Sequence, residues 1–108
     1  MGEKEYLILT TRHKDMLFGG DVHLFWGTNG GGYTAILQRA GLYTKEKAYK
    51  LGGEGDIPVH YTVFGKDKSF FESEEKFIQM PTLYSIGKES KNLIADWQYQ
   101  LRHNQTAL

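Results

Sequence analysis

The first apolar stretch of the chain does not alternate. Tyr6-Leu7-Ile8-Leu9-Thr10-Thr11 is short and rich in strand formers, which suits a strand covered on both faces and central in a sheet. His13 to Asp21 reads as a loop, with Gly19-Gly20 as its breaker. Val22-His23-Leu24-Phe25-Trp26 resumes extended structure. Side chains alternate along a strand, so Val22, Leu24 and Trp26 share one face and Phe25 takes the other. Gly27-Thr28-Asn29-Gly30-Gly31-Gly32 ends that strand, and Tyr33 to Leu37 is expected to return as its hairpin partner.

Thr44 precedes Lys45-Glu46-Lys47-Ala48-Tyr49-Lys50-Leu51, with Gly52-Gly53 beyond. Thr44 suits an N-cap, Glu46 the first turn and Gly52 a left-handed C-terminal position, so a helix of about two turns is expected. Ile57, Val59, Tyr61 and Val63 alternate with Pro58, His60 and Thr62. A half-buried strand over 57–64 follows, with Pro58 at an edge or outside the ladder. Ser69-Phe70-Phe71-Glu72 has the spacing of a capping box, for a helix running to about Gln79 and stopped by Pro81. Ile94, Trp97 and Leu101 form a narrow apolar stripe on a final helix capped by Ser85 or Ser90, and 104–108 is expected to fray. The fold class expected is α+β: a small, mainly antiparallel sheet of three to four strands with two or three helices packed against it. No repeat, linker or composition break divides residues 1–108, so one domain is expected.

Composition narrows the function classes. The 13 Lys plus Arg balance 13 Asp plus Glu. Residues 1–54 carry seven basic and six acidic side chains, and the rest carry six and seven. Neither half has the basic footprint of a duplex nucleic-acid binder. With no cysteine, disulfides, thiol catalysis and thiolate metal sites are excluded, and a reducing cytoplasm is the expected compartment. No apolar run is long enough to span a membrane, and Met1-Gly2 lacks the Ser or Thr that a myristoylation signal wants where Tyr6 stands. Fifteen rings (six Phe, seven Tyr, two Trp) exceed what a core of this size needs. Some should therefore reach the surface, where Tyr and Trp favour binding, and a thin core with spare rings makes a homo-oligomer an expectation.

The four histidines, His13, His23, His60 and His103, are scattered, and Asp21 with His23 gives two ligands at most. No metal or cofactor site is expected, and the two residues read as a polar edge facing water. Asp15, Asp21, Glu54 and Asp56 sit near glycine turns. That is ordinary turn chemistry, though a small hydrolase or nuclease using Asp21, Asp56 and His60 stays open as an alternative.

Ten of the thirteen glycines fall between Gly19 and Gly55. The loop from Gly27 to Gly32 lacks the Gly-Lys-Ser/Thr ending of a P-loop and leads into a strand rather than a helix. What it offers is backbone N–H groups bare of side chains, suited to an anion. Trp26 enters it, and Tyr33 and Thr34 leave it, as a stacking site would require. Arg39 or Arg12 could meet a phosphate. The candidate ligand-binding set is thus Trp26, Asn29, Gly30, Gly31, Gly32, Tyr33, Thr34, Arg39 and Arg12, with no catalytic residue among them.

The same stretch resembles a segment found in small bacteriophage and prophage proteins, running Trp-x-x-Asn-x-x-Gly-Tyr-Thr-x-x-Leu-x-x-Ala-Gly-x-Tyr-Thr. Trp26, Asn29, Gly32, Tyr33, Thr34, Leu37, Ala40, Gly41, Tyr43 and Thr44 fall in place, and a looser likeness reaches Asp56-Ile57-Pro58-Val59. It covers about a third of the chain and implies origin more than activity. The function expected from all this is a non-enzymatic, phage-like accessory protein of the bacterial host cytoplasm. It would capture a small phosphorylated, nucleotide-like ligand or a host protein, in a counter-defence role. A protein–protein module that inhibits or recruits a larger partner is the alternative.

Overall fold

The structure, a computed structural model, describes residues 2–14, 16, 19–77 and 79–103. Its axis is β1, Lys4–Thr10. Leu7, Ile8, Leu9 and Thr10 are all buried, as the unbroken apolar run requires of a strand covered on both sides. Along one edge β1 pairs antiparallel with β5, Asp56–His60, from Tyr6↔His60 to Thr10↔Asp56. The other edge is shared. Its end pairs with β2, Leu24–Trp26, through Leu9↔Phe25, and its start pairs with β4, Tyr43–Thr44, through Tyr6↔Tyr43. The two-residue strand β3, Tyr33–Thr34, lies outside β2, with Trp26 opposite Tyr33. The five strands all pair antiparallel, one strand more than expected.

Three α-helices among the described residues complete the α+β fold: α1 at Lys45–Leu51, α2 at Lys68–Glu72 and α3 at Lys88–His103. Alternation along β1 divides the core in two. Leu7 and Leu9 face Phe25, Ile57, Val59, Leu37, Phe71 and Trp97, whereas Ile8 faces Tyr43 and Ala48, with Trp26 packed alongside. The stripe on α3 does pack inward: Trp97 is buried, and Ile94 and Leu101 lie against the first cluster. No helix among the described residues is long and apolar enough to cross a membrane.

Several expected boundaries move, each because a local side chain or a remote segment takes over the backbone. Thr44 caps α1 as expected, accepting from the Lys47 N–H at 3.2 Å. Gly52, however, is extended at φ −66° rather than left-handed, and the chain beyond it is drawn to β5, the Gly53 N–H donating to the Asp56 carbonyl at 2.9 Å. The return strand stops after Thr34, whose hydroxyl accepts from the Ile36 N–H and bends the chain into a 3-10 turn at Leu37–Arg39. The strand expected over 57–64 stops at His60. There the imidazole Nδ1 accepts from the Thr62 N–H, and Tyr61–Phe64 coils into another 3-10 turn with Val63 exposed. Pro58 is inside the ladder, opposite Ile8, but on an edge strand where its missing N–H costs nothing.

Ser69 does not cap a helix. Asp67 holds that position, α2 ends after Glu72, and Glu74–Phe77 continues only as a 3-10 turn. At the start of α3, Ser90 sits in the first turn and its hydroxyl accepts from the Gly87 N–H at 3.0 Å. Strand β2 is shorter than expected: Val22 only bridges to Ser85. His23, expected to face water, is buried. The tail at 104–108 lies outside the described residues.

Candidate functional site

The turn between β2 and β3 is held by its own backbone before any ligand is considered. The Gly27 N–H donates to the Gly32 carbonyl at 2.7 Å, and the Gly31 N–H donates to Thr28 at 2.9 Å. Asn29 takes a left-handed conformation, φ 53°, a region where Asn is enriched among non-glycine residues. Gly30 at φ 70° and Gly32 at φ 98° follow it, and no β-branched residue would tolerate those angles. So Asn29, Gly30 and Gly32 are turn formers first.

Tyr43, which the sequence presents only as one more ring, fixes this loop in space. Its buried hydroxyl accepts from the Gly30 N–H at 2.9 Å and donates to the Gly27 carbonyl. The Gly41 N–H adds a bond to the Trp26 carbonyl at 2.9 Å. Gly41 permits this approach, because a Cβ there would stand 2.6 Å from the Gly27 oxygen. Tyr43→Phe keeps the ring and removes both hydroxyl bonds. It is expected to cost about 1 kcal/mol, and to raise hydrogen exchange at the Gly30 amide without disturbing the β1–β5 ladder.

Of the expected ligand residues, Trp26, Gly30, Gly32 and Tyr33 come together and line a recess of about 120 Å³. Tyr33 is 45% exposed. The Trp26 ring meets it edge-on at 6.4 Å, and the His13 ring lies against it at 4.3 Å, tilted by 32°. Arg12 reaches the same place. Its guanidinium bonds Asp56 through Nη2 at 2.8 Å, and the neighbouring Tyr33 phenol adds a smaller interaction. Asp56 first, then Tyr33, hold the Arg12 pKa above its ordinary value. A side chain at Gly55 would collide with the Arg12 stem, so that glycine lets the arginine lie flat across the turn.

The remaining expected residues do not line the recess. Thr34 spends its hydroxyl on the Ile36 N–H. Arg39 is exposed at the end of the Leu37–Arg39 turn and is not among the residues that line the recess. Asn29 and Gly31 are exposed and are not among the lining residues. The loop is less bare than its composition implies, because the Gly27, Gly30 and Gly31 N–H groups all have partners within the protein. His13 and Tyr43 belong to the site and were not expected there. The Trp-to-Thr segment contained Tyr43, but its role depends on a sheet register invisible along the chain.

Two broader depressions lie elsewhere. One of about 410 Å³ is lined by Lys66, Asp67, Phe70, Glu75 and Lys76 among others, and one of about 450 Å³ runs beside α1. In the first, two lysines face two carboxylates, so no net charge favours an anion. The trio Asp21, Asp56 and His60 does not form a reacting centre. Asp56 and His60 stand at opposite ends of β5, about 13 Å apart at strand rise, and Asp56 is bound to Arg12. No three His, Asp or Glu side chains among the described residues converge as a metal-binding group.

Comparison of the chain with protein-family models, with curated proteins and with solved structures finds no match.

Proposed function

We propose that this is a phage-like accessory protein that binds rather than catalyses, capturing one group of a small phosphorylated, nucleotide-like ligand at the turn between β2 and β3. The observation that carries this reading is the convergence of Trp26, Gly30, Gly32 and Tyr33 on one recess, with Arg12 and His13 against the same tyrosine. A planar ring would lie against Trp26 and Tyr33, which is sequence-tolerant stacking. The phosphate would be met by Arg12, whose guanidinium is already paired with Asp56 through Nε and Nη2, with the His13 ring against Tyr33 beside it.

The recess size favours a second reading. Sites that enclose whole small molecules hold about 300–1,000 Å³, so about 120 Å³ accepts one ring or one side chain. Trp, Tyr and Arg in a shallow patch are also the residues that anchor protein interfaces. A host protein inserting a single side chain would fit the same surface.

Titration of the protein with AMP, GMP and inorganic phosphate by calorimetry tests the first reading. Tyr33→Ala combined with Arg12→Ala is expected to weaken nucleotide binding at least about tenfold, the effect of losing one good stack. Unchanged affinity in the folded double variant would remove these residues from the site. Failure of all three probes to bind would move the weight to the protein partner.

A further inference from the structure

We infer that His23 is an acid-sensitive latch between β2 and the segment Tyr84–Ile86, which runs beside it as a strap. The strap is laid along Asp21–His23 by two backbone bonds: His23 N–H to the Tyr84 carbonyl and Ile86 N–H to the Asp21 carbonyl, both 2.9 Å. Between them Val22 bridges to Ser85. The His23 ring is shut into this seam, 6% exposed, with Tyr84 tilted over it at 5.6 Å. Tyr84 in turn packs on Phe64 at 4.9 Å and Phe25 at 6.3 Å. The seam therefore joins β2 to the main core.

The imidazole Nε2 is buried and has no hydrogen-bond partner among the described residues. A neutral ring tolerates one unpaired nitrogen. An imidazolium in the same place would need a donor satisfied at each nitrogen and a counter-charge, and unpaired buried charge is costly. The titratable groups around the seam offer none. Tyr84 presents a ring, Glu89 on α3 acts on the Tyr84 phenol, and Asp21 is exposed and meets the strap through its carbonyl. Burial, with no contribution from any charge, pushes the His23 pKa down.

The direction of the pH effect follows. Above the ordinary histidine value of about 6.5 the ring is neutral whether the seam is closed or open, and the closed form keeps its full stability. As pH falls below that value, only the opened form takes up the proton readily. The seam then loses stability until the closed form also titrates. One proton changes the opening equilibrium by at most about tenfold per pH unit. Opening would release Tyr84 from Phe25 and loosen the strand that carries Trp26.

Amide hydrogen exchange at about pH 7.5 and about pH 5.5, corrected for the intrinsic rates, tests the latch in a histidine's working range. The His23 and Ile86 amides are expected to lose about tenfold in protection at the lower pH, while Leu7 and Leu9 in β1 change far less. His23→Gln, which has no ionising group, should abolish that difference. Should the variant fold poorly, ring NMR of the wild-type protein decides: His23 should remain neutral at pH values where a free histidine, with its ordinary value of about 6.5, is charged. Equal protection at both pH values, an acid response that persists in His23→Gln, or titration of the His23 ring at the ordinary histidine value of about 6.5 would overturn the inference.

Discussion

Phe25→Ala is expected to cost about 3–5 kcal/mol, the usual loss for truncating a buried phenylalanine. Its ring is fully buried at the join of β2 and the main core, edge-on to Phe64 at 5.5 Å and beside Tyr84. The alanine would leave a cavity that the rigid β1–β2 pairing cannot close. A domain of this size has about 5–15 kcal/mol in total, so urea unfolding should shift to a much lower midpoint. Trp26, the next residue, is only partly buried and faces the other way. Trp26→Ala should cost clearly less while stripping the recess. This contrast between neighbours separates folding from binding: a loss of ligand binding in Phe25→Ala says nothing about the site.

Trp97→Ala should be of similar size, about 3–5 kcal/mol. Trp97 is the anchor of α3: buried at 7% exposure, edge-on to Tyr49 of α1 at 5.3 Å, with its indole N–H donating to the Gly53 carbonyl at 2.8 Å. The rest of α3 is held by partly buried Leu93, Ile94 and Leu101 and by an exposed ion pair between Arg102 and Glu54. Exposed pairs contribute little, so α3 depends on the tryptophan. Trp97→Phe separates its two contributions. It keeps an aromatic ring and loses the hydrogen bond, and should cost only about 1–2 kcal/mol. Urea titrations followed by far-ultraviolet circular dichroism measure both; equal losses in the two variants would mean that the hydrogen bond, and not the packing, holds α3.

These contacts also mark where the sequence stopped being readable. Local signals were sound: the Tyr6–Thr11 run gave the buried central strand, Thr44 gave the start of α1, and the spacing of Ile94, Trp97 and Leu101 gave the inward face of α3. Strand ends were misread where a side chain turned the backbone locally, as Thr34 and His60 do. Those bonds compete with the sheet ladder, and alternation of apolar residues does not register them. The strap beside β2 was missed because Thr82 to Ile86 has no strong pattern of its own. It is pinned from a distance, by the buried Gln38 side chain accepting from the Thr82 N–H and donating to the Met80 carbonyl, and by the Tyr84 and Ile86 bonds. The site shows the same division. Trp26, the glycines and Tyr33 are contiguous and were found together. Tyr43 and the Arg12–Asp56 pair, 44 residues apart, depend on how β4 and β5 flank β1. Of the two arginines that could meet a phosphate, Arg12 lies against Tyr33, whereas Arg39 ends the Leu37–Arg39 turn and does not line the recess.

If the recess between β2 and β3 holds the ligand, a map of amide and indole NMR shifts on addition of AMP will locate it there. Shifts are expected at Gly30, Gly32, Tyr33 and the Trp26 indole, with the Trp97 indole unmoved as an internal control. Shifts gathered instead on Lys66, Phe70 and Lys76, or spread without focus over the surface, would contradict this placement.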